Sequence, residues 1–253
     1  MSHNPIISAL TAGKAQFGLF CCSHSVQVAE ALGDSGFQFL IFDLEHCPQS
    51  LPHLHAQLAA LHGSGIGAIV RATGLDQAAF KHYLDLGVHA IMVPSVSSAD
   101  EARQALRFMR YPPLGVRGVG GSVRVTRYGR DKGYLQRAEE ETCLIVQIET
   151  VAGLERLDEI CGVEGVRAVF FGPHDLAASM GHLGQPGHPD VANAILGGIR
   201  SARARGLGAG ILASEADCGP YLEAGANLVC AGSDIGLLVG SADGLAARLA
   251  NRR

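Results

Sequence analysis

Short runs of apolar, β-branched and aromatic residues alternate along the chain with segments whose apolar residues recur at helical spacing. This alternation is typical of parallel β-strands joined by helices. It predicts eight strands, at residues 17–22, 37–43, 66–71, 89–94, 142–149, 166–171, 208–212 and 227–231. It also predicts eight helices, at residues 26–33, 51–62, 77–86, 99–109, 154–160, 191–205, 215–224 and 235–249.

The length of the chain suits one closed α/β barrel. Its 253 residues, 47% of them hydrophobic and 17% charged, can bury a large core. A (β/α)8 TIM barrel commonly uses about 250 residues as one domain, so we expect a single domain over residues 1–253. Two long connections, 110–137 and 181–189, are typical of lids or interface arms.

Charge and hydropathy argue against several classes of partner. The net charge is −4, and neither sign forms a long run, which disfavours binding to nucleic acid. No apolar stretch approaches the roughly 20 residues that cross a bilayer, and residues 1–5 do not resemble a signal-peptide core. We therefore expect a cytoplasmic protein that binds neither nucleic acid nor a membrane.

The seven cysteines show no paired Cys-x-x-Cys spacing, so we expect them to be reduced. Cys21, Cys22, Cys143 and Cys230 lie in apolar strand-like runs and are predicted to be small core residues. Cys47 differs because it directly follows a polar cluster. No base is implied beside it, which disfavours a catalytic thiol.

Polar residues end four of the predicted strands, at the edge where a (β/α)8 barrel holds its chemistry. They are Asp43-Leu44-Glu45-His46, Arg71, Gln147-Ile148-Glu149 and Gly172-Pro173-His174-Asp175. Gln147 and Glu149 are two residues apart, so both are expected to point into the barrel mouth. A carboxylate buried there needs a cation, either an arginine or a metal ion.

Two carboxylates at the ends of neighbouring strands suit a hard divalent ion. Glu149 and Asp175 would bind Mg²⁺ or Mn²⁺, with waters and substrate oxygens completing an octahedron. The spacing leaves an alternative open. In that alternative Glu149 pairs with Arg71, and Asp175 caps the helical turn that follows it.

A histidine and an arginine are expected at the same mouth. His46 can titrate near neutral pH and serve as a general base, directly or through water. Asp85, near the end of the helix after the third strand, would orient His46 if the fold brings them together. Arg71 ends a buried strand and must hold a carboxylate, either a substrate's or that of Glu45 or Asp43.

The sequence lacks the residue patterns of three other kinds of site: an imine-forming lysine, a serine nucleophile and a phosphate-binding turn. None of the lysines, Lys14, Lys81 and Lys132, lies on an apolar strand, which disfavours an imine mechanism. No Gly-x-Ser-x-Gly elbow follows a strand, which disfavours a serine hydrolase. The turn at Ser233 and Asp234 is better explained as a helix cap than as a phosphate site.

Together these motifs resemble the metal-dependent 2-keto acid aldolases of the HpcH/HpaI family, close to 2-dehydro-3-deoxyglucarate and 4-hydroxy-2-oxoheptanedioate aldolases. The resemblance covers nearly the whole chain and implies a lyase. It would reversibly cleave 4-hydroxy-2-keto acids to pyruvate, or a close 2-keto acid, and an aldehyde. Beyond the strand ends, the resemblance rests on Val70, Arg110-Tyr111-Pro112-Pro113, Arg117-Gly118, Thr150, Leu176, Gly181-His182-Leu183-Gly184 and His188-Pro189.

The resemblance also implies a role for each site residue. Glu149 and Asp175 would hold Mg²⁺, Mn²⁺ or Co²⁺. His46 would act as acid and base with support from Asp85, and Arg71 would stabilise the enolate. The residues implied to contact the keto acid are Arg71, Gln147, Gly172, Pro173, His174 and Leu212. The family further implies a homo-hexamer with exchanged C-terminal helices, which suits the apolar stretches 237–239 and 245–249.

The chain departs from the family pattern at three positions. Phe20 stands where a Trp is common, which alters the expected pocket wall, Leu44 stands where a Gly is usual, and His174 where a Ser or Ala is usual. Two alternatives stay open. One is a citrate-lyase-like lyase acting on acyl-CoA esters, which needs a basic groove that only residues 117–137 would provide. The other is a non-catalytic barrel whose carboxylates pair with Arg71.

Overall fold

A closed barrel of eight parallel strands forms the centre of the computed structural model, which describes residues 4–252. Each strand pairs with the next in chain order, and the first pairs with the last. The strands are β1 (Gln16–Cys21), β2 (Phe39–Asp43), β3 (Gly67–Arg71), β4 (Ala90–Val93), β5 (Cys143–Ile148), β6 (Val166–Phe171), β7 (Gly208–Leu212) and β8 (Leu228–Ser233). The predicted (β/α)8 barrel is confirmed.

Helices surround this barrel within the described range. They are α1 (Pro5–Ala12), α2 (Val26–Gly33), α3 (Leu51–Ala60), α4 (Gln77–Leu86), α5 (Ala99–Met109), α6 (Tyr134–Glu141), α7 (Val151–Glu155), α8 (Leu157–Cys161), α9 (Pro173–Ser179), α10 (Pro189–Ala204), α11 (Cys218–Glu223) and α12 (Asp234–Ala250). The predicted helix 154–160 is divided between α7 and α8. Helices α1, α6 and α9 were not predicted. Helix α6 overlaps the end of the predicted connection 110–137, and it buries Tyr134 and Ala138.

Apolar side chains fill the barrel and the layer between strands and helices. Helix α1 adds Ile6 to the interior cluster, which places this helix over the amino ends of the strands. Asn4 fixes it there, because its side-chain oxygen accepts the Ile6 N–H at 2.9 Å and its amide donates to the His89 carbonyl at 2.6 Å. The opposite end of the barrel is left open for the polar strand ends.

The last helix, α12, packs little against its own barrel. It begins at the predicted cap, where the Ser233 hydroxyl accepts the Gly236 N–H at 3.0 Å. Asp234 is the one buried residue of this helix, all of which lies in the described range, and Leu238 is 65% exposed. Between residues 4 and 252, no helix combines the length and apolar character that a bilayer span requires.

Candidate active site

An open pocket of about 360 Å³ lies at the carboxyl end of the barrel. It gathers residues from the ends of strands that are distant in sequence. The predicted site residues that line it are His46, Arg71, Gln147, Gly172, Pro173, His174, Asp175 and Leu212. Glu149 lies directly behind this wall, beside Gly172. Asp85 does not line the pocket and lies near the end of α4.

An ion pair between Asp43 and Arg71 forms part of the pocket wall. Arg71 Nε donates to Asp43 Oδ1 at 2.9 Å, and Nη2 donates to Oδ2 at 2.7 Å. Arg71 Nη1 lies 3.1 Å from Glu45 Oε2, and the guanidinium carbon lies 4.7 Å from the centre of the Phe20 ring. The guanidinium has five N–H groups, so N–H groups on Nη1 and Nη2 remain for a ligand.

Asp43 also holds the segment that carries His46. Its Oδ1 accepts the backbone N–H of Glu45 at 3.0 Å and that of His46 at 3.3 Å. Burial alone would raise the pKa of Asp43, but the bonds from Arg71 and from these two N–H groups hold the pKa below its usual value. The carboxylate is therefore ionised at neutral pH and fixes both candidate catalytic groups.

His46 stands at the rim of the pocket. Its side chain is 61% exposed, and Nε2 lies 3.9 Å from Glu45 Oε2. An imidazole in this position can exchange protons with a bound molecule or with water. The position suits the acid/base role expected from the sequence.

Glu149 is 1% exposed and is held by donors from the turn after β4 and from β5. Its Oε1 accepts the Ser95 N–H at 2.7 Å and the Ser95 hydroxyl at 2.9 Å, and its Oε2 accepts from Gln147 Nε2. Burial raises the pKa of Glu149, the Ser95 donors and Arg71 oppose this, and the charge of Asp175 adds to it. The direct ion pair with Arg71 considered as an alternative is not formed.

The two carboxylates present a donor set that a hard divalent ion prefers. Asp175 lies exposed in the first turn of α9 and makes no capping bond there, unlike the cap considered as an alternative. Within residues 4–252, neither Asp175 nor Glu149 forms an ion pair with an arginine or lysine. A Cβ on Gly172 would collide with Glu149 Oε2, so this glycine leaves room beside the oxygen. Oxygen ligands from two carboxylates, with substrate and water, fit Mg²⁺ or Mn²⁺.

The fold does not bring Asp85 and His46 of one chain together. Asp85 lies at the end of α4, where it accepts from Arg117 Nη2 at 2.9 Å, and Arg117 is buried beside Tyr111 and Tyr134. Helix α4 runs back toward the amino ends of the strands, so Asp85 lies close to the start of β4. His46 follows the carboxyl end of β2. The expectation that Asp85 supports His46 is therefore not met within one chain.

The arginines of residues 117–137 do not form a basic groove beside the carboxylates. Arg117 is paired with Asp85, and Arg137 contacts two carboxylates of its own region. Arg124, Arg127 and Arg130 line a separate cavity at the amino end of the barrel, together with Asn4. The acyl-CoA alternative thus lacks the groove that it needs next to Glu149.

The sequence did not predict Ser95 as a donor to Glu149, and it placed the Cys22 thiol in the core rather than at the pocket. Ser95 has φ 55°, a left-handed conformation that is strained for a residue with a side chain. Its only signal was a serine after Pro94 at the carboxyl end of a strand. Cys22, predicted to be a core residue, is half-buried and lines the pocket, because β1 ends one residue earlier.

Comparisons with known proteins agree with this geometry. The sequence profile named HpcH/HpaI aldolase/citrate lyase matches residues 16–240. A pyruvate aldolase of Rhizobium etli is 43% identical over 242 residues, covering 95% of each chain. A 4-hydroxy-2-oxo-heptane-1,7-dioate aldolase of Shigella flexneri is 43% identical over 251 residues, covering 98% of this chain and 94% of its own.

The fold comparison gives the same result. The crystal structure of an HpcH/HpaI aldolase/citrate lyase family protein from Burkholderia cenocepacia matches with a TM-score of 0.93 and 32% identity. The match covers 97% of this chain and 99% of that one. Because profile, sequence and fold agree over almost the whole length, the chain belongs to the HpcH/HpaI aldolase/citrate lyase family.

Proposed function

We propose that this protein is a divalent-metal-dependent aldolase that reversibly cleaves 4-hydroxy-2-keto acids to pyruvate, or a close 2-keto acid, and an aldehyde. The observation that carries the proposal is the position of Glu149 and Asp175 beside a pocket that also contains Arg71 and His46. The names of the related aldolases support the same class of reaction. A non-catalytic barrel would not require this combination.

Glu149 and Asp175 would hold the metal ion, which we propose to be Mg²⁺, Mn²⁺ or Co²⁺. When bound, the ion supplies Lewis acidity to the negative charge that develops on the keto acid as the carbon–carbon bond breaks. Gln147 keeps Glu149 in position by donating to Oε2. The wall expected to contact the keto acid consists of Gly172, Pro173, His174 and Leu212.

Arg71 would stabilise negative charge on the substrate, and His46 would transfer a proton. Arg71 would donate its remaining N–H groups to the oxygen that gains negative charge, in an orientation fixed by Asp43. His46 would accept the proton of the 4-hydroxyl group during cleavage, directly or through water, and return it in the reverse reaction. The carboxylate that faces His46 within the chain is Glu45, not Asp85.

We also propose a homo-hexamer with exchanged C-terminal helices. Helix α12 supports this, because Leu237, Leu238 and Val239 are 50–65% exposed and the helix buries little of its own apolar surface. Covering such a surface contributes about 25 cal/mol per Å² of apolar area. A cytoplasmic location and one catalytic domain over the whole chain complete the proposal.

The test is pyruvate release from a panel of 4-hydroxy-2-keto acids, with and without a chelator. Glu149→Gln keeps the size of the side chain but removes its charge, so it should abolish turnover. Glu159→Gln, on the exposed surface of α8, should behave like the wild type. A chelator should abolish pyruvate release by the wild-type protein, and added Mn²⁺ should restore pyruvate release. Undiminished release in the chelated protein or in Glu149→Gln would refute the proposal.

A further inference from the structure

Two thiols meet on the pocket wall next to Asp43. Cys22 follows β1, and Cys47 lies in the segment after β2. Both are free and half-buried. Their sulfur atoms and a carboxylate oxygen of Asp43 all lie within 4.8 Å of one another. The proposed reaction uses neither thiol.

We propose that Cys22, Cys47 and Asp43 form a second metal site, selective for soft divalent ions such as Zn²⁺ and Cd²⁺. In a tetrahedral site with Zn–S bonds of about 2.3 Å, two thiolates lie roughly 3.8 Å apart. Because the two sulfur atoms lie within 4.8 Å of each other, a shift of no more than about 1 Å brings them to that spacing. Mg²⁺ and Mn²⁺ prefer oxygen ligands, so this site differs in chemistry from the one at Glu149.

The local charges favour a cation. Two thiolates and the Asp43 carboxylate would carry three negative charges, of which the neighbouring Arg71 offsets at most one. The set of ligands is therefore net negative and attracts a divalent ion. Asp43 Oδ1 accepts from two backbone N–H groups and Arg71 Nε, whereas Oδ2 accepts only from Arg71 Nη2, so Oδ2 is the oxygen that would bind the ion. Without an ion both thiols are neutral at pH 7, because burial raises the pKa of each.

The backbone around both cysteines is anchored. The Cys22 N–H donates to Asp234 Oδ1 at 2.8 Å, which ties the end of β1 to the start of α12. His24 Nε2 donates to the Cys47 carbonyl at 2.8 Å. Because the two sulfur atoms are presented from fixed backbone positions, little conformational entropy is lost when an ion binds.

An ion at this site would affect the neighbouring ion pair. It would compete with Arg71 for the Asp43 carboxylate. The guanidinium of Arg71, to which we assign a catalytic role, would then be held less firmly in its orientation. Soft metals should therefore inhibit the enzyme, an effect that rests on the proposed function. Binding itself does not depend on turnover and is measured separately.

The experiment is a Cd²⁺ titration of protein reduced with a phosphine, followed by the ultraviolet sulfur-to-cadmium charge-transfer band. The wild type should bind one equivalent with this band, and excess Mg²⁺ should not displace it. Cys22→Ser and Cys47→Ser should each weaken binding by more than about tenfold. Cys218→Ser, at a half-buried thiol of α11, should leave the band unchanged.

Glu149→Gln separates this proposal from the aldolase proposal. The band should persist in that variant, because its oxygen ligand belongs to the other site. Circular dichroism spectra should show that the serine variants are folded. A wild-type protein without the band, or an unchanged band in folded Cys22→Ser and Cys47→Ser, would overturn the second site whatever the aldolase assay shows.

Discussion

Asp43 and Arg71 are directly paired in the register between β2 and β3, and their side chains form a two-point ion pair with N–O distances of 2.9 and 2.7 Å. Both residues are buried. Paired donors and acceptors of this kind fix orientation as well as distance. The strand register thus sets the direction in which the guanidinium faces the pocket.

Removing the charge of Asp43 should affect stability and turnover together. Asp43→Asn keeps the shape but leaves the buried guanidinium without its main counter-charge, which should lower the free energy of unfolding by about 3 kcal/mol. Urea unfolding and pyruvate release measure the two effects. Asp100→Asn, in the exposed pair with Arg103, should cost less than about 1 kcal/mol. Equal costs for the two variants would contradict the structural role given to Asp43.

A methyl group at Gly172 should displace the Glu149 carboxylate. A Cβ there would collide with Glu149 Oε2 and lie 2.9 Å from Gln147 Nε2. We expect Gly172→Ala to weaken Mn²⁺ binding, measured by calorimetry, by more than about tenfold. Gly187→Ala is the matched control, because a Cβ at that position meets nothing within 4 Å. Similar Mn²⁺ affinities for both variants would argue against Glu149 as a ligand.

The free energy of unfolding should depend on pH through His89. Burial, with a smaller effect of Arg124, lowers the pKa of His89 from 6.5 to about 4, and Nδ1 accepts the Ala68 N–H at 2.9 Å. Between these pH values the unfolded chain binds a proton that the folded chain does not. The free energy of unfolding should therefore fall by about 3 kcal/mol as the pH drops from 6.5 to 4.

Urea unfolding at several pH values checks this expectation. His89→Gln retains an acceptor for the Ala68 N–H but cannot be protonated, so this part of the pH dependence should disappear. Parallel profiles for the variant and the wild type would show that His89 is not responsible.

The exposed apolar surface of α12 should control assembly. Leu238→Glu places a charge on a side chain that is 65% exposed in the chain and that we expect to be covered in the hexamer. Sedimentation velocity should then show smaller species than the wild type. Gln104→Glu, which adds the same charge on the exposed surface of α5, serves as the control and should assemble like the wild type. An unchanged assembly in Leu238→Glu would oppose the exchanged-helix arrangement.

The barrel and much of the pocket could be predicted because two simple regularities act together. Alternating strand and helix periods define the (β/α)8 topology, and parallel strands bring their carboxyl ends to one edge. His46, Arg71, Gln147 and Asp175 were therefore predicted to be close although they are far apart in sequence. All four line the same pocket.

Partners within the pocket could not be derived in this way. Asp43, Glu45 and Glu149 were all plausible partners for Arg71, and the β2–β3 register selects Asp43 with Glu45 as a secondary contact. The direction of α4 places Asp85 away from His46, which spacing along the chain does not reveal. Contacts between loops of neighbouring strands, such as Cys22 with Cys47, depend on backbone turns that have no periodic signal.

The most direct test of the account is anomalous diffraction from crystals soaked with Mn²⁺ and a pyruvate analogue. A manganese peak should lie between the carboxylates of Glu149 and Asp175, with oxygen atoms of the analogue among its ligands, and Glu149→Gln crystals should lack it. Ordered analogue in the pocket without manganese at these two carboxylates would contradict the proposed mechanism.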